Sequence, residues 1–264
     1  MQIMNPIISI ITVTMNHLPL LEKMLHSLYI DNPPKVNFEL ILVDNCSTDN
    51  TEEFIRTHYP QIRYYKNDKI AGFAANNNKA ASYAKGEYIL ILNPDIILLK
   101  DSIDTLYQYL QDHQEVGIIA PQLLNTDLSI QHSVRTFISP PILMARIFTK
   151  GNDNSTNHYV KQYLMTELSP TSPSDVDWCM GAALLLKNSF YQQLNGFDEG
   201  FFLYVEDMDI CHRCWKLGKK VIYLPSSKMI HAHQRSSQKI NRKTLLHLKS
   251  MLYFFRKNRF KINR

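Results

Sequence analysis

The tightest constraint on this chain's fold lies in its first 120 residues, where short β-rich apolar runs alternate with segments whose apolar residues recur at helical spacing. PIISIITVTMN reads as a strand and LPLLEKMLHSLYID as a helix with Leu18, Leu21, Leu25 and Leu28 on one face. FELILVDN reads as a second strand, and Ser47 or Thr48 can cap a helix from about Asp49 to His58. The short strand IRYYKN, a helix from about Ala74 to Ala84 and the strand YILILNPD follow, then a helix from about Ser102 to His113 and the strand VGIIAPQLL. Strands that are apolar almost throughout need cover on both faces. The pattern therefore predicts an α/β fold, a Rossmann-like, mostly parallel sheet flanked by helices.

Open sheets of this kind bind ligands beyond the carboxyl ends of their strands. Polar residues fall there: Thr14 and Asn16 after the first strand, Asp44 and Asn45 after the second, Asn93 and Asp95 after the fourth. One polar strand end is ordinary turn chemistry, whereas three at one sheet edge predict a crevice. Within NPD, Pro94 has no donor for the ladder, so pairing stops and the Asp95 carboxylate can project into that crevice. A carboxylate there suits a divalent metal whose other ligands are phosphate oxygens and water.

Residues 125–175 are loop-rich around at most two short helices and are expected to form a flexible region facing substrate or a partner. Order resumes in VDWCMGAALLLKNSFYQQLNGFDEGFF, which reads as strand, helix and a turn at Asn195-Gly196. The next stretch, YVEDMDICHRCWKLG, places Glu206, Asp207 and Asp209 in the first turn of a helix that stops at Gly218, where the macrodipole favours their ionised forms. Two residues turn a helical side chain through about 200°, so Asp207 and Asp209 face apart. Asp209, four residues before Arg213, is placed for an ion pair. Spacing alone does not choose between Glu206 and Asp207 as a chemically active carboxylate.

At 264 residues and 45% hydrophobic content, the chain can bury one large α/β domain or two small ones. Its longest apolar candidate, YILILNPDIILL, is broken by Asn93, Pro94 and Asp95, short of the roughly eighteen apolar residues a bilayer crossing requires. The N-terminus carries no basic leader or small-residue cleavage site, which gives the expectation of a cytoplasmic protein. The net charge of +5 is concentrated in residues 239–264, which hold nine Lys or Arg and no Asp or Glu. These charges interleave with Leu245, Leu248, Leu252 and Phe254, among others, as a basic amphipathic tail. Such a tail fits either an anionic membrane surface, at about 1 kcal/mol per basic residue, or docking on the body with its lysines in solvent. No nucleic-acid reading motif accompanies the charge. The lone Cys211-x-x-Cys214 reads as reduced thiols on a packed helix rather than a zinc site.

Taken in order and spacing, TVTMNH, LVDNCSTDNT, AGFAANNNKAA, ILNPD, VDWCMGAALLL, LNGFDEGFFLYVEDMDICHRC and IHAHQRSS resemble the glycosyltransferase family 2 enzymes of GT-A fold, in particular their bacterial rhamnosyltransferase-like branch. The resemblance runs from about residue 7 to about residue 237. It implies a glycosyltransferase domain over 1–238, with 1–120 as the nucleotide-binding half, 121–238 as the acceptor and catalytic half, and 239–264 as the tail. It further implies inverting transfer from a nucleotide-sugar donor, most simply L-rhamnose from dTDP-rhamnose, to a saccharide or lipid-linked saccharide acceptor, assisted by Mg²⁺ or Mn²⁺. By position Thr14, Asn16 and Asp44 would contact the nucleoside, with Asp44 on the base and Asn78 near the nucleotide. Asp95 would hold the metal; Asn93 replaces the first acid of the family's motif and is assigned to the substrate. His231 matches a late metal-side histidine, with His233 a second candidate. Asp207 would be the base that deprotonates the acceptor, Glu206 would shape the acceptor pocket, and Trp178, Gly181 and Asp198 would lie near the sugars. A UDP-sugar donor, or a non-catalytic membrane-associated relative, are the alternatives. A sugar nucleotidyltransferase would need a Gly-rich basic loop after the first strand, and TVTMNHLPLLEK has no glycine.

Overall fold

A computed structural model of the chain describes residues 5–232, 242–258, 262 and 264. The first run of elements is β1 (Ile8–Thr14), α1 (Leu18–His26), β2 (Phe38–Asp44), α2 (Thr51–His58), β3 (Arg63–Lys66), α3 (Phe73–Ser82) and β4 (Tyr88–Leu92). Next come β5 (Ile96–Leu98), α4 (Ser102–Asp112) and β6 (Val116–Leu124). The loop-rich segment holds β7 (Val134–Arg135), α5 (Pro140–Phe148), α6 (His158–Tyr163) and β8 (Ser174–Asp175). The chain ends with β9 (Trp178–Cys179), β10 (Ala183–Lys187), α7 (Asn188–Gln193), α8 (Glu206–Lys216), β11 (Lys220–His231) and α9 (Arg242–Lys257).

The main sheet has the order β3-β2-β1-β4-β10-β6-β11-β5, with β8 on β11. Its first four strands are parallel, β10 runs antiparallel between β4 and β6, and β6 and β11 are again parallel. The α/β class and the mostly parallel sheet are thus as the sequence predicts. Each central strand sends alternate residues to opposite faces and buries both. Ile11, Ile41, Val43, Ile89, Ile91, Leu184 and Leu186 pack on one side. Ile10, Leu40, Leu42, Leu90, Leu92 and Leu185 pack on the other with Leu21, Leu25, Leu106 and Leu110. The expected division at residue 120 falls inside β6, so one sheet runs through both parts.

At the end of the chain α9 lies on the body. Phe254 is fully buried, Ser250 Oγ donates to the Leu203 carbonyl at 2.9 Å, and Lys257 Nζ reaches Asp198 at 2.6 Å and Asp209 at 2.7 Å. Leu245, Leu248 and Leu252 of the same helix are exposed. Lys239, Arg259 and Lys261, which share the tail's positive charge, lie outside the described residues. Among the described residues no helix is long and apolar enough to cross a membrane.

Candidate active site

Two hollows open at the carboxyl side of the sheet. The first, of about 290 Å³, is lined by Thr14, Met15, His17, Asn45, Ala71, Gly72, Phe73, Asn76, Asn93 and Asp95. Strand pairing brings these strand ends together, parallel where Thr14 is the register partner of Asp44 and antiparallel where the Asn93 amide donates to the Ala182 carbonyl at 2.9 Å. The Thr14 hydroxyl is buried against this cleft and has no hydrogen-bond partner among the described residues, so it is free to serve a ligand.

Three residues expected to contact the nucleotide do not line this hollow. Asp44 is fully buried and does not line the cleft: one oxygen accepts from the Ser47 amide at 2.6 Å, the other from the Tyr64 hydroxyl. The carboxylate closes the β2 turn because it has both donors within reach. Asn16 adopts a left-handed φ of 56° and turns its side-chain oxygen to the amides of Thr48 and Asp49, joining two loops outside the cleft. Asn78 accepts from the Phe197 amide and the Tyr191 hydroxyl and donates to the Phe197 carbonyl, which pins the Asn195-Gly196 turn. The neighbouring Asn76 and Asn45 line the cleft instead, with their amides spent on residues 67–72.

At the cleft floor, antiparallel pairing of β5 with β11 sets His231 opposite Ile96 and so beside Asp95. His231 Nε2 lies 3.4 Å from Asp95 Oδ2. Gln131 donates through Nε2 to Asn125, which turns its oxygen to His231 Nδ1 at 2.7 Å. That hydrogen bond orients the ring and turns Nε2 toward the carboxylate. A carboxylate oxygen and an imidazole nitrogen side by side are both metal-ligating groups, so Asp95 and His231 fit a divalent metal that takes its remaining ligands from phosphate and water. No three His, Cys, Asp or Glu converge as a full cage among the described residues. His233 lies outside them. The thiols of Cys179, Cys211 and Cys214 are free and buried in the core.

The second hollow, of about 260 Å³, is lined by Arg135, Arg146, Tyr163, Trp178, Met180, Tyr204, Glu206, Asp207, His247 and Met251. The chain enters α8 through two left-handed residues, Tyr204 (φ 69°) and Val205 (φ 74°), a strained conformation for a β-branched residue that aims the first helical turn into this pocket. Asp207 Oδ2 accepts from the Gly181 amide at 3.0 Å and Oδ1 from the Met208 amide at 2.8 Å. A Cβ on Gly181 would stand 3.3 Å from the Asp207 Cβ and 3.6 Å from the Phe73 ring. Gly181 is therefore the thin wall between the two hollows, because Phe73 lines the first and Asp207 the second. Gly72 serves the same closeness from the other side, with Phe73 N donating to the Phe202 carbonyl at 3.0 Å.

Burial outweighs the macrodipole at this helix end. It pushes the Asp207 carboxyl above the ordinary carboxylate range, while the amides of Gly181 and Met208 and the charge of Arg135 pull it back. Glu206, with fewer compensating donors, is pushed by burial and then by the charge of Asp207 up to about 8. With its carboxyl near 8, Glu206 holds its proton near neutrality. Asp209 points the other way, as its spacing predicts, and pairs with Arg213 at 2.7 Å and Lys257. Trp178 is buried in the pocket wall and donates from Nε1 to the Thr136 carbonyl at 3.0 Å. Asp198 accepts from Lys257 and Tyr253 and anchors the tail instead of facing either hollow. Arg135, Tyr163, His247 and Met251 were not legible as site residues, since none sits in a recognisable motif and only β7–β9 pairing, the Thr136 amide bond to the Tyr163 carbonyl and α9 docking bring them in.

Residues 9–167 match the family model for glycosyl transferase family 2. Over 97% of its length the chain is 30% identical to the rhamnosyltransferase WbbL of Escherichia coli, covering 95% of that protein. Over 89% it is 28% identical to an N-acetylglucosaminyl-diphospho-decaprenol L-rhamnosyltransferase of Mycobacterium tuberculosis, covering 78% of it. Among solved structures it superposes on GalNAc-T7 with UDP, GalNAc and Mn²⁺ at a TM-score of 0.71 and 16% identity, aligning 97% of this chain with 48% of that one. It superposes on the mannosyltransferase PcManGT of Pyrobaculum calidifontis with GDP-Man and Mn²⁺ at 0.60 and 20% identity, aligning 89% of this chain with 59% of that one. Those two likenesses establish the GT-A fold. With the family model spanning more than half of its residues and a relative matched almost end to end, the chain belongs to glycosyl transferase family 2 and is related to bacterial rhamnosyltransferases.

Proposed function

We propose that the protein is an inverting, metal-assisted transferase that moves a sugar, L-rhamnose from dTDP-rhamnose, onto a lipid-linked saccharide at a membrane face. The observation that carries this reading is the position of Asp207: it stands in one hollow, one glycine away from another that is lined by Asp95 with His231 beside it. The donor nucleotide would occupy the first hollow and the acceptor the second. Asp207, held by two amides, would take the proton of the acceptor hydroxyl as its oxygen attacks the anomeric carbon from the face opposite the leaving nucleoside diphosphate. Asp95 and His231 would hold the divalent cation, which when bound neutralises charge on the departing diphosphate. Glu206, neutral beside it, would leave Asp207 as the ionised partner.

The donor assignment is supported by the two rhamnosyltransferase relatives, one of which names a diphospho-decaprenol acceptor. A lipid-linked acceptor is supported by the helices that line the second hollow. Beside Arg146, α5 exposes Met144, Ile147 and Phe148; beside His247 and Met251, α9 exposes Leu245, Leu248 and Leu252. Clustered apolar surface of this sort suits the interface of a bilayer. The test is Asp207→Asn, expected to cut transfer from dTDP-rhamnose by about 10²–10⁴-fold with nucleoside diphosphate affinity unchanged. Transfer within a few fold of the parent would remove Asp207 from the role of base.

A further inference from the structure

The second hollow contains a guanidinium, that of Arg135, with no carboxylate of the described residues close enough to form an ion pair with it; it acts on Asp207 only through the field across the hollow. Arg135, on the short strand β7, is the register partner of Trp178, and its guanidinium lies 5.2 Å from the centre of the Trp178 ring and 5.6 Å from that of Tyr163. Its Nε is buried without a hydrogen-bond acceptor, and no carboxylate of the described residues lies within ion-pair distance of it. The nearby acids are otherwise engaged: Asp153 pairs with Arg146 at 2.8 Å, and Asp207 is held by the Gly181 and Met208 amides. Arg146 itself is committed, since it also donates to the Gly151 carbonyl. A guanidinium held between aromatic rings keeps its fork of donors pre-oriented, the geometry that grips phosphate oxygens two at a time.

The donor's diphosphate cannot be the intended anion, because in the proposed arrangement it lies across the Gly181 wall beside Asp95. An anion in this hollow arrives with the acceptor. The hollow is also framed by helices that expose hydrocarbon side chains, so the anion sits between a sugar and an apolar chain. Resting on the transferase reading above, we infer that Arg135 is the acceptor-recognition residue that binds the phosphate linking the acceptor sugar to its lipid, and so makes the enzyme selective for phosphate-linked over neutral glycolipid acceptors.

The test is titration calorimetry with decyl diphosphate as probe, in EDTA so that metal-dependent binding in the first hollow is silent, on the parent, Arg135→Gln and Arg135→Lys. Decyl glucoside is the neutral control, and UDP or dTDP with Mg²⁺ reports the donor site. Decyl diphosphate is expected to bind Arg135→Gln at least about ten-fold more weakly than the parent, with Arg135→Lys between them and both controls unmoved. Equal binding of decyl diphosphate by parent and Arg135→Gln, or no measurable binding by the parent, would overturn the assignment even with donor binding intact. Loss of nucleotide binding in the parent alongside an Arg135-dependent decyl diphosphate signal would instead defeat the transferase reading and leave the phosphate site standing. Vesicles of phosphatidylglycerol separate the two sources of phosphate. If Arg135→Gln weakens vesicle binding and not decyl diphosphate binding, the residue reads a bilayer headgroup and the acceptor assignment fails. Arg135→Lys keeps the charge over the rings, so it supplies the comparison should the Gln variant unfold.

Discussion

Glu206 and Asp207 show how much of a residue's chemistry depends on its surroundings. Adjacent in sequence and alike in composition, they part because Asp207 faces two amide donors while Glu206 Oε2 is buried with none. The consequence for Glu206 can be signed. Its carboxyl is raised from 4.5 to about 8 on folding, so between those values the folded state holds a proton that the unfolded state has released. Stability from this residue is full below about 4.5 and is lost as pH rises through about 8. Denaturant titrations from pH 5 to pH 9 are expected to show a decline on the order of 3 kcal/mol that Glu206→Gln flattens. Parallel curves for parent and variant would show that the acid is not held neutral.

At the scale of elements, α9 closes one side of the second hollow with His247 and Met251. Phe254 is fully buried and Lys257 ties Asp198 to the buried Asp209 of α8, while Ser250 holds the loop that leads into the strained Tyr204-Val205 pair. Phe254→Ala is expected to cost about 3–5 kcal/mol and to depress transfer, because it loosens the helix that carries His247 and Met251. Leu252→Ala, two residues away but 64% exposed, is expected to change stability by less than about 0.5 kcal/mol. Chemical denaturation of both variants checks this; similar losses would mean that the helix does not dock as described. Of the sequence's two readings of the tail, body docking describes Phe254 and Lys257, while the exposed leucines of the same helix remain available to a bilayer.

For the whole molecule, Asp95 lines the first hollow with His231 beside it, and no three His, Cys, Asp or Glu of the described residues converge there to hold a metal. Divalent metal alone is therefore expected to leave the melting temperature nearly unchanged. Metal with nucleoside diphosphate at about 100 times its dissociation constant is expected to raise it by about 5 °C, and His231→Ala to abolish that metal dependence. A shift of the same size without metal would contradict the shared site.

What the sequence determined follows from local rules. Burial on both faces makes strands continuously apolar, so β1, β2, β4 and β6, the helices between them, and the polar strand ends from Thr14 to Asp95 were readable in order. The ionic partner of Asp209 was readable too, because four residues of helix fix it. Distances between residues far apart in sequence were not. Asp44 and Asn78 looked like ligand contacts but met closer partners within the fold. Arg135 carried no motif, and Asp95 and His231 became a pair through β5–β11 pairing. Such contacts are set by which strands pair and which helices dock, and that choice belongs to the buried core as a whole. The tertiary structure alone decided that Asp207 stands one glycine from the hollow that Asp95 lines.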